Sequence, residues 1–251
     1  MEPNSAWFAM SNPLHEQNKI LAALPADERD RLAPHLQWVA FERGETLYRA
    51  GETLGQLYFP VTLVAALMAL GRSGASTALA LIGREGGIGL AEALAGERPA
   101  HDIVALMPGE AFRLPAQAVP DLFSPHQALL AVALNHGYSL TAQIAQTAFC
   151  NLHHPLDQRL CRWLLSIAYR QSAHSLQLTE EQIASVLGVR RESVSQATVR
   201  LQEEGLIRHH RGLVEILDRD SLEAKACECL PVFPWHAYPV RCPVSGPGNL
   251  P

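Results

Sequence analysis

The segment from position 190 to position 196 concentrates side chains that can read the edges of DNA bases. It contains Arg190, Arg191, Glu192, Ser195 and Gln196. An arginine fork can donate two hydrogen bonds to guanine O6 and N7, a glutamate can accept from cytosine N4, and a glutamine amide can pair with adenine N6 and N7. We therefore expect these residues to contact DNA, provided that one element carries them on one face.

A helix-turn-helix is predicted to carry these side chains. Thr179 and Gln182 have the spacing of a capping box, which starts a helix, and Gly188 suits the left-handed residue that ends it. The apolar residues of both helices recur at spacings of three and four. They are Ile183, Ala184 and Leu187 in the first helix and Val194, Ala197 and Leu201 in the second. This pattern leaves the polar start of the second helix outside, where the motif enters the major groove.

More arginines follow the second helix. We expect Arg200, Arg208 and Arg211 to lie near the DNA backbone, and the segment from Leu206 to Leu217 to form a hairpin wing that turns at Arg211 and Gly212. Two alternatives remain, a helical hairpin with a solvated polar face and an adaptor that keeps the fold without binding DNA. The number of arginines favours DNA binding over the adaptor.

Residues 179–217 closely resemble the winged helix-turn-helix of Crp/Fnr regulators, and the segment Arg191-Glu192-Ser193-Val194-Ser195 resembles that family's Arg-Glu-Thr-Val signature. The end of the motif region, Leu222 to Cys229, resembles one branch of the family. The segments 41–48, 51–52, 57–60 and 82–89 resemble its cyclic-nucleotide-binding-like barrel, so the resemblance extends over residues 17–230. It implies an α+β fold: an N-terminal jelly-roll-like β-barrel, a long linking and dimerisation helix, and a C-terminal winged helix-turn-helix.

The same resemblance implies function and partners. The protein would be a sequence-specific transcription regulator that binds double-stranded DNA, reads an inverted repeat as a homodimer and carries a sensory barrel of unknown effector. It also admits RNA polymerase as a partner. Two departures from the family pattern matter here. Arg190 replaces a serine, so a side-chain cap of the second helix is missing, and Gln196 replaces an arginine, so base preference should differ.

Composition changes along the chain predict the domain boundaries. Short apolar runs bounded by Gly or Pro between positions 37 and 114 are typical of strands, and a helical pattern covers 15–36. The expected units are an N-terminal arm (1–14), an effector domain (15–124), a dimerisation helix (125–152), a DNA-binding domain (153–230) and a Pro-rich tail (231–251).

The helix predicted from Gln127 to Phe149 has an apolar and small-residue seam with a period of about 3.5 residues. The seam comprises Leu130, Leu134, Gly137, Thr141, Ile144 and Ala148. Such a seam fits a dimer-forming helix, and it equally fits an ordinary helix packed on its own domain.

The effector site implied by the resemblance is incomplete. The family cassette for a cyclic nucleotide is Gly-Glu-Leu-Gly followed by Arg-Ser-Ala or Arg-Thr-Ala, whereas this chain has Gly86, Gly87, Ile88 and Gly89, and later Arg98 before Pro99. A glycine and a proline cannot replace the carboxylate for the ribose and the hydroxyl for the phosphate. We expect cyclic AMP not to be the effector, and an unliganded or differently liganded barrel.

The remaining residue types favour no catalytic or metal chemistry. The barrel region has no His-x-His of the cupin kind, and no Gly-x-Ser-x-Gly, Walker or zincin pattern occurs, so an enzyme is not expected. Cys227, Cys229, His236 and Cys242 could form a zinc site, but their irregular spacing in a Pro-rich segment favours a structural or inert role. Accordingly, we expect no cofactor and no metal.

Cysteine usage and overall charge bound the compartment and the mode of binding. The five cysteines form no disulfide framework and no membrane span or signal pattern is found, so a cytoplasmic protein is expected. The net charge of −5 argues against a protein that coats nucleic acid non-specifically.

Overall fold

The structure is a computed structural model that describes residues 17–119 and 127–230. The predicted N-terminal arm and Pro-rich tail, with His236 and Cys242, lie outside the described residues.

The N-terminal half is built from two antiparallel sheets that face each other. The strands are β1 (Gln37–Phe41), β2 (Thr46–Tyr48), β3 (Gln56–Pro60), β4 (Val64–Leu70), β5 (Ser76–Ile82), β6 (Asp102–Met107) and β7 (Gly109–Pro115). One sheet has the order β1-β7-β3 and the other the order β2-β6-β4-β5. Leu57, Phe59 and Leu114 are fully buried between them and the helices that cover them. The β-barrel expected from the short apolar runs is thereby confirmed.

The helical segment expected over 15–36 is divided. Two helices, α1 (Lys19–Ala22) and α2 (Ala26–Leu32), are followed by a 3-10 turn (Ala33–His35). Pro25 occupies the N-cap of α2 and has no N–H to donate, so a single helix cannot continue through it. A further short helix, α3 (Leu90–Ala95), follows Gly89, whose φ of 80° reverses the chain. The apolar-run analysis did not predict α3.

Two long helices connect the barrel to the C-terminal domain. They are α4 (Gln127–His153), longer than the predicted span, and α5 (Leu156–Gln171), which begins after Pro155. One face of α4 packs on the barrel. There the amide of Gln143 bonds both backbone groups of Leu81, accepting from its N–H at 2.8 Å and donating to its carbonyl at 3.1 Å.

The C-terminal domain combines helices with a small sheet. It contains β8 (Ser175–Gln177), α6 (Glu180–Leu187), α7 (Arg191–Glu203), β9 (Ile207–His210), β10 (Leu213–Ile216) and α8 (Arg219–Lys225). The sheet has the order β8-β10-β9. The last helix ends at Lys225 because Ala226 is extended. Cys227 and Cys229 therefore lie in a turn rather than on a helix.

The two halves of the molecule share one apolar cluster that runs from β4 through α5 to the helix-turn-helix. Polar contacts accompany it, with Thr77 Oγ1 donating to the Val186 carbonyl at 3.1 Å. The guanidinium of Arg170 on α5 forms a buried ion pair with Glu85 at 2.7 Å. The C-terminal domain is therefore seated against β5 and the barrel.

Candidate nucleic-acid interface

The turn between α6 and α7 has the local signals that the sequence indicates. The Thr179 hydroxyl accepts from the Gln182 N–H, and the Gln182 side chain accepts from the Thr179 N–H, which completes the capping box. Gly188 follows α6 with a φ of 65°, where a side chain would be strained. Arg190 is the N-cap of α7 and makes no side-chain capping bond, as its replacement of serine predicts.

The second helix, α7, separates sharply into an inner and an outer face. Val194, Ala197 and Leu201 are fully buried against the rest of the domain. Arg190, Arg191, Glu192 and Gln196 are exposed, and Ser195 is half-buried among them. These positions succeed one another on the helix surface at the spacing of one turn, so the structure brings the expected base-reading side chains onto one outward face.

The outward face of α7 contains one residue that sequence reasoning missed. Val199 lies one turn beyond Ser195 and is 47% exposed. An isopropyl group in this position can contact a thymine methyl. The signal was present in the sequence, because Val199 lies four residues after Ser195 and therefore outside the buried face of the helix.

Two arginines of α7 differ in what holds them. Arg191 is loosely paired with Glu180 at 3.5 Å, and its side chain is 68% exposed. Arg200 instead forms a bidentate pair with Asp157 on α5, at 2.8 Å and 2.6 Å. These hydrogen bonds hold the pKa of Asp157 below its usual value and raise that of Arg200. Arg200, expected at the DNA backbone, is engaged inside the domain and fixes α7 against α5.

The wing has the predicted hairpin geometry. β9 and β10 pair antiparallel, and the turn between them places Arg211 at φ 47° and Gly212 at φ 77°. Positive φ at both central residues is the turn type that suits the twist of a two-residue hairpin. Arg211 is exposed at the tip, and Arg208 on β9 pairs with Glu215 on β10 at 3.0 Å.

Two family models match this chain. A cyclic nucleotide-binding domain model matches residues 38–126, which span the barrel strands, and a Crp-like helix-turn-helix domain model matches residues 158–225. Together they cover more than half of the sequence, in the order and with the linking helix described above. The chain belongs to the Crp/Fnr family. It is a DNA-binding transcription regulator with an N-terminal sensory barrel of the cyclic-nucleotide-binding type, as the sequence analysis predicts.

Several solved structures have the same fold. A regulator assigned to the Crp/Fnr family from Eubacterium rectale aligns with a TM-score of 0.65 at 17% identity, over 84% of this chain and 98% of that one. The c-di-GMP-responsive regulator CLP of Xanthomonas campestris gives 0.63 at 15% identity, over 77% and 100%. A CRP-family regulator from Thermus thermophilus gives 0.62 at 24% identity, over 75% and 96%. No curated protein matches the chain, and none of the helices within the described ranges is long and apolar enough to cross a membrane.

The long helix of this Crp/Fnr protein exposes apolar side chains away from the barrel. Leu130, Leu134, Tyr138, Phe149 and Leu152 are between 46% and 81% exposed and follow one side of α4. The opposite side packs on the barrel, and Ile144, at the edge of the stripe, is half-buried against a barrel cluster. Four residues of the predicted seam are exposed, namely Leu130, Leu134, Thr141 and Ala148, and Gly137 and Ile144 are half-buried.

The barrel loop that would cradle a phosphate, Gly86 to Gly89, is occupied by the protein's own groups. The N–H groups of Gly86 and Ile88 donate to the carbonyls of Gly83 and Tyr58, at 2.9 Å and 2.7 Å. His136 of α4 covers the Gly87 peptide, with Nε2 2.9 Å from its oxygen and 3.3 Å from its nitrogen. Nε2 makes one of these bonds at a time, according to its tautomer. Burial lowers the pKa of His136, which keeps the ring neutral.

Aromatic side chains fill the adjacent barrel interior. The Tyr48 hydroxyl donates to the Gln56 carbonyl at 2.8 Å and lies 3.1 Å from that of Ile88, so a Cβ at Gly89 would clash with it. Tyr58 packs against Tyr48 and Phe41. Arg98 is exposed and donates to the Gly51 carbonyl at 3.0 Å. Of the expected effector residues, Gly86 to Gly89 thus form a loop closed by internal hydrogen bonds, and Arg98 lies at the surface.

Proposed function

We propose that this regulator reads an inverted-repeat operator as a homodimer through the outward face of α7. The observation that carries the proposal is the set of exposed side chains on that face, in which Arg191, Glu192 and Gln196 have the hydrogen-bonding groups for guanine, cytosine and adenine edges. Ser195 and Val199 supply short contacts between them. Because the protein acts on DNA and the four cysteines within the described ranges are free thiols, we assign it to the cytoplasm, with RNA polymerase as a further partner.

Phosphate contacts are assigned to the periphery of that face. Arg190 precedes α7, Arg208 lies on β9, and Arg211 is exposed at the wing tip. Within the described ranges neither Arg190 nor Arg211 has an ion-pair partner, so both are available to an incoming phosphate without breaking an internal bond. Arg200 is assigned a positioning role through Asp157 rather than a backbone contact.

Dimerisation is assigned to the exposed apolar stripe of α4. Side chains such as Leu134, 65% exposed, and Leu152, 81% exposed, are expensive to leave in water along one continuous helix face. Pairing two such helices about a two-fold axis would bury them and would set two α7 helices about 34 Å apart, one turn of DNA.

The proposal is tested by titrating variants against an operator selected from random duplexes. Arg191→Ala should weaken the operator about 5- to 150-fold per half-site and leave a scrambled duplex nearly unchanged, because each bidentate base contact carries about 1–3 kcal/mol of discrimination. Arg208→Ala should weaken both duplexes alike and reduce the salt slope by about two per dimer. The matched control is Arg31→Ala, which removes an exposed arginine that is ion-paired on the distant α2.

The same titration tests the dimer. The selected operator should be an inverted repeat, and Leu134→Asp should sediment as a monomer and bind the full operator no better than a single half-site. An equal loss of affinity by Arg191→Ala on operator and scrambled duplex would mean that the reading face is misassigned. If neither arginine variant changes DNA binding, the adaptor alternative takes over.

A further inference from the structure

A cluster of three cysteines and one histidine lies at the junction of the linking helix and the C-terminal domain. Cys150 is in the last turns of α4, His154 follows directly, and Cys227 and Cys229 lie in the turn after α8. One ligand atom from each lies within 4.8 Å of all the others. The Sγ atoms of Cys150 and Cys227 are 4.0 Å apart, and Sγ of Cys229 is 3.9 Å from Nδ1 of His154.

We infer that Cys150, His154, Cys227 and Cys229 bind a structural zinc ion. Three thiolates and an imidazole form a tetrahedral Cys3His ligand set, for which sulfur–sulfur distances of about 3.8 Å and sulfur–nitrogen distances of about 3.6 Å are expected. The separations in the protein are within a few tenths of an ångström of those values for the two closest pairs. A small contraction of the cluster would complete the coordination sphere.

The local geometry of the chain prepares this ligand set. Cys150 and His154 are four residues apart, and the His154 N–H still donates to the Cys150 carbonyl at 3.1 Å, so both side chains leave the same side of the helix end. The Leu230 N–H donates to the Cys227 carbonyl at 3.0 Å, which closes the turn that carries Cys227 and Cys229. The two halves of the site are far apart in sequence and are brought together by the packing of α8 on α5.

The site is closed to solvent. Cys150 is completely buried, Cys227 and Cys229 are 2% and 5% exposed, and the His154 side chain is 8% exposed. These three cysteines form an apolar cluster of their own rather than joining the neighbouring core. A closed four-ligand site with no position left for water is the pattern of structural rather than catalytic zinc.

Neighbouring groups orient the ligands as a metal would require. Nε2 of His154 lies 3.0 Å from the Glu228 carboxylate, which directs Nδ1 toward the thiols. A carboxylate on the second nitrogen of a metal-bound histidine is a common supporting contact. The Gln146 amide donates to the sulfur of Cys229 at 2.8 Å, a bond that favours a thiolate acceptor.

Two buried arginines balance the charge. Zinc with three thiolates has a net charge of −1, which is costly in a closed site unless it is compensated. Arg159 and Arg162 of α5 are 8% and 6% exposed and interact electrostatically with Cys150 and Cys227. Both charges would stabilise a thiolate–metal centre, and Arg159 also donates to the Leu187 carbonyl at 2.6 Å.

This inference replaces the expectation of an inert cysteine pair. The sequence groups Cys227 and Cys229 with His236 and Cys242, whereas the structure brings Cys150 and His154 beside them. The ion would join the end of α4 to the end of the DNA-binding domain, across 77 residues of chain. It would therefore act as a staple that fixes the orientation of that domain on the linking helix.

Zinc content of the full-length protein tests the inference. Protein purified without chelator should contain about one zinc per protomer, and Cys150→Ser or Cys229→Ser should reduce this to below about 0.1. Two cysteine variants serve as controls and should keep the metal. Cys161→Ala removes another fully buried thiol, on α5 and outside the cluster, and Cys242→Ser removes the ligand of the alternative grouping.

Measurements on the unsubstituted chain test the inference even if the variants of the zinc-binding residues do not fold. Cobalt(II) added to chelator-treated protein should give the visible absorption of a tetrahedral thiolate site. Zinc should protect the cluster's cysteines from alkylation and should raise the Tm of the chelated protein by at least about 5 °C. Protein that stays metal-free in excess zinc, stoichiometric iron or copper in its place, a disulfide between Cys150 and Cys227, or loss of zinc in Cys242→Ser would each overturn the inference.

Discussion

Helix α7 and the glycine loop from Gly86 to Gly89 both lie in regions that the family models match, yet their hydrogen-bonding groups are placed in opposite ways. On α7 the polar side chains of Arg191, Glu192 and Gln196 are exposed. In the loop, the peptide groups of Gly86 and Ile88 are bonded within the protein. Both regions keep the fold of the family. On α7 the hydrogen-bonding groups are open to a ligand, whereas in the loop they are already bonded within the protein.

Packing explains why the two elements diverge. The inner face of α7 is fixed by Val194, Ala197 and Leu201, which places no constraint on the outer face. The loop has no outer face, because Ile88 is fully buried and pairs with Tyr58 of β3. Function can be varied on α7 without touching the core, whereas a change in the loop is also a change in the core.

Among the tests of this comparison, a substitution of Gly89 is expected to have the largest effect. Gly89→Ala should lower the free energy of unfolding by about 2–5 kcal/mol, because a positive φ is strained for alanine and its Cβ would clash with the Tyr48 hydroxyl. Urea unfolding measures it. Gly96→Ala is the matched control, since Gly96 also has a positive φ, 67°, but open space around it, and it should cost only about 1 kcal/mol. Equal costs would mean that Tyr48 yields readily and that the loop is not filled.

A smaller effect is expected from His136, which closes the loop from α4. Below about pH 6.5 an unfolded histidine takes up a proton, whereas burial keeps the folded His136 neutral, so stability should fall as the pH is lowered through this window. The slope would reach about 1.4 kcal/mol per pH unit. Glu85, the charged group that opposes this shift, reduces the slope without reversing its sign.

Urea unfolding between about pH 5.5 and pH 7.5, one unit either side of the usual histidine pKa, measures this dependence. His136→Gln should abolish this part of it, and His174→Gln, which removes an exposed histidine, should leave it unchanged. An unaltered slope in His136→Gln would show that the ring is protonated in the folded protein and that the loop is more open than its contacts indicate.

The helix-turn-helix could be predicted almost residue by residue because its signals are local. The Thr179–Gln182 box, the Gly188 turn and the buried stripe of α7 each depend on neighbours within four residues. What the sequence did not reveal depends on distant partners. The pairing of Arg200 with Asp157 spans 43 residues, and it links α7 to α5.

The same distinction holds for the barrel and the cysteines. Strand positions followed from the apolar runs, but the filling of the loop by Tyr48 and His136 depends on sheet register and on where α4 crosses the barrel. The cysteine–histidine cluster joins the end of α4 to the turn after α8, at the two ends of the DNA-binding domain. Spacing along the chain cannot reveal such a set, because no local period connects its members.

The smallest effect, expected to be none, concerns cyclic AMP. A cyclic nucleotide needs a carboxylate for its ribose and free N–H donors for its phosphate, and position 87 is a glycine whose peptide is covered by His136. Arg98, the cation nearest to the family pattern, is exposed and bonded to the Gly51 carbonyl. Calorimetry should therefore detect no binding up to millimolar ligand, and operator affinity should be unchanged by it. Micromolar binding coupled to tighter DNA binding would mean that the loop opens in solution. The difference between α7 and the loop would then come from the conformation of the loop and not from its sequence.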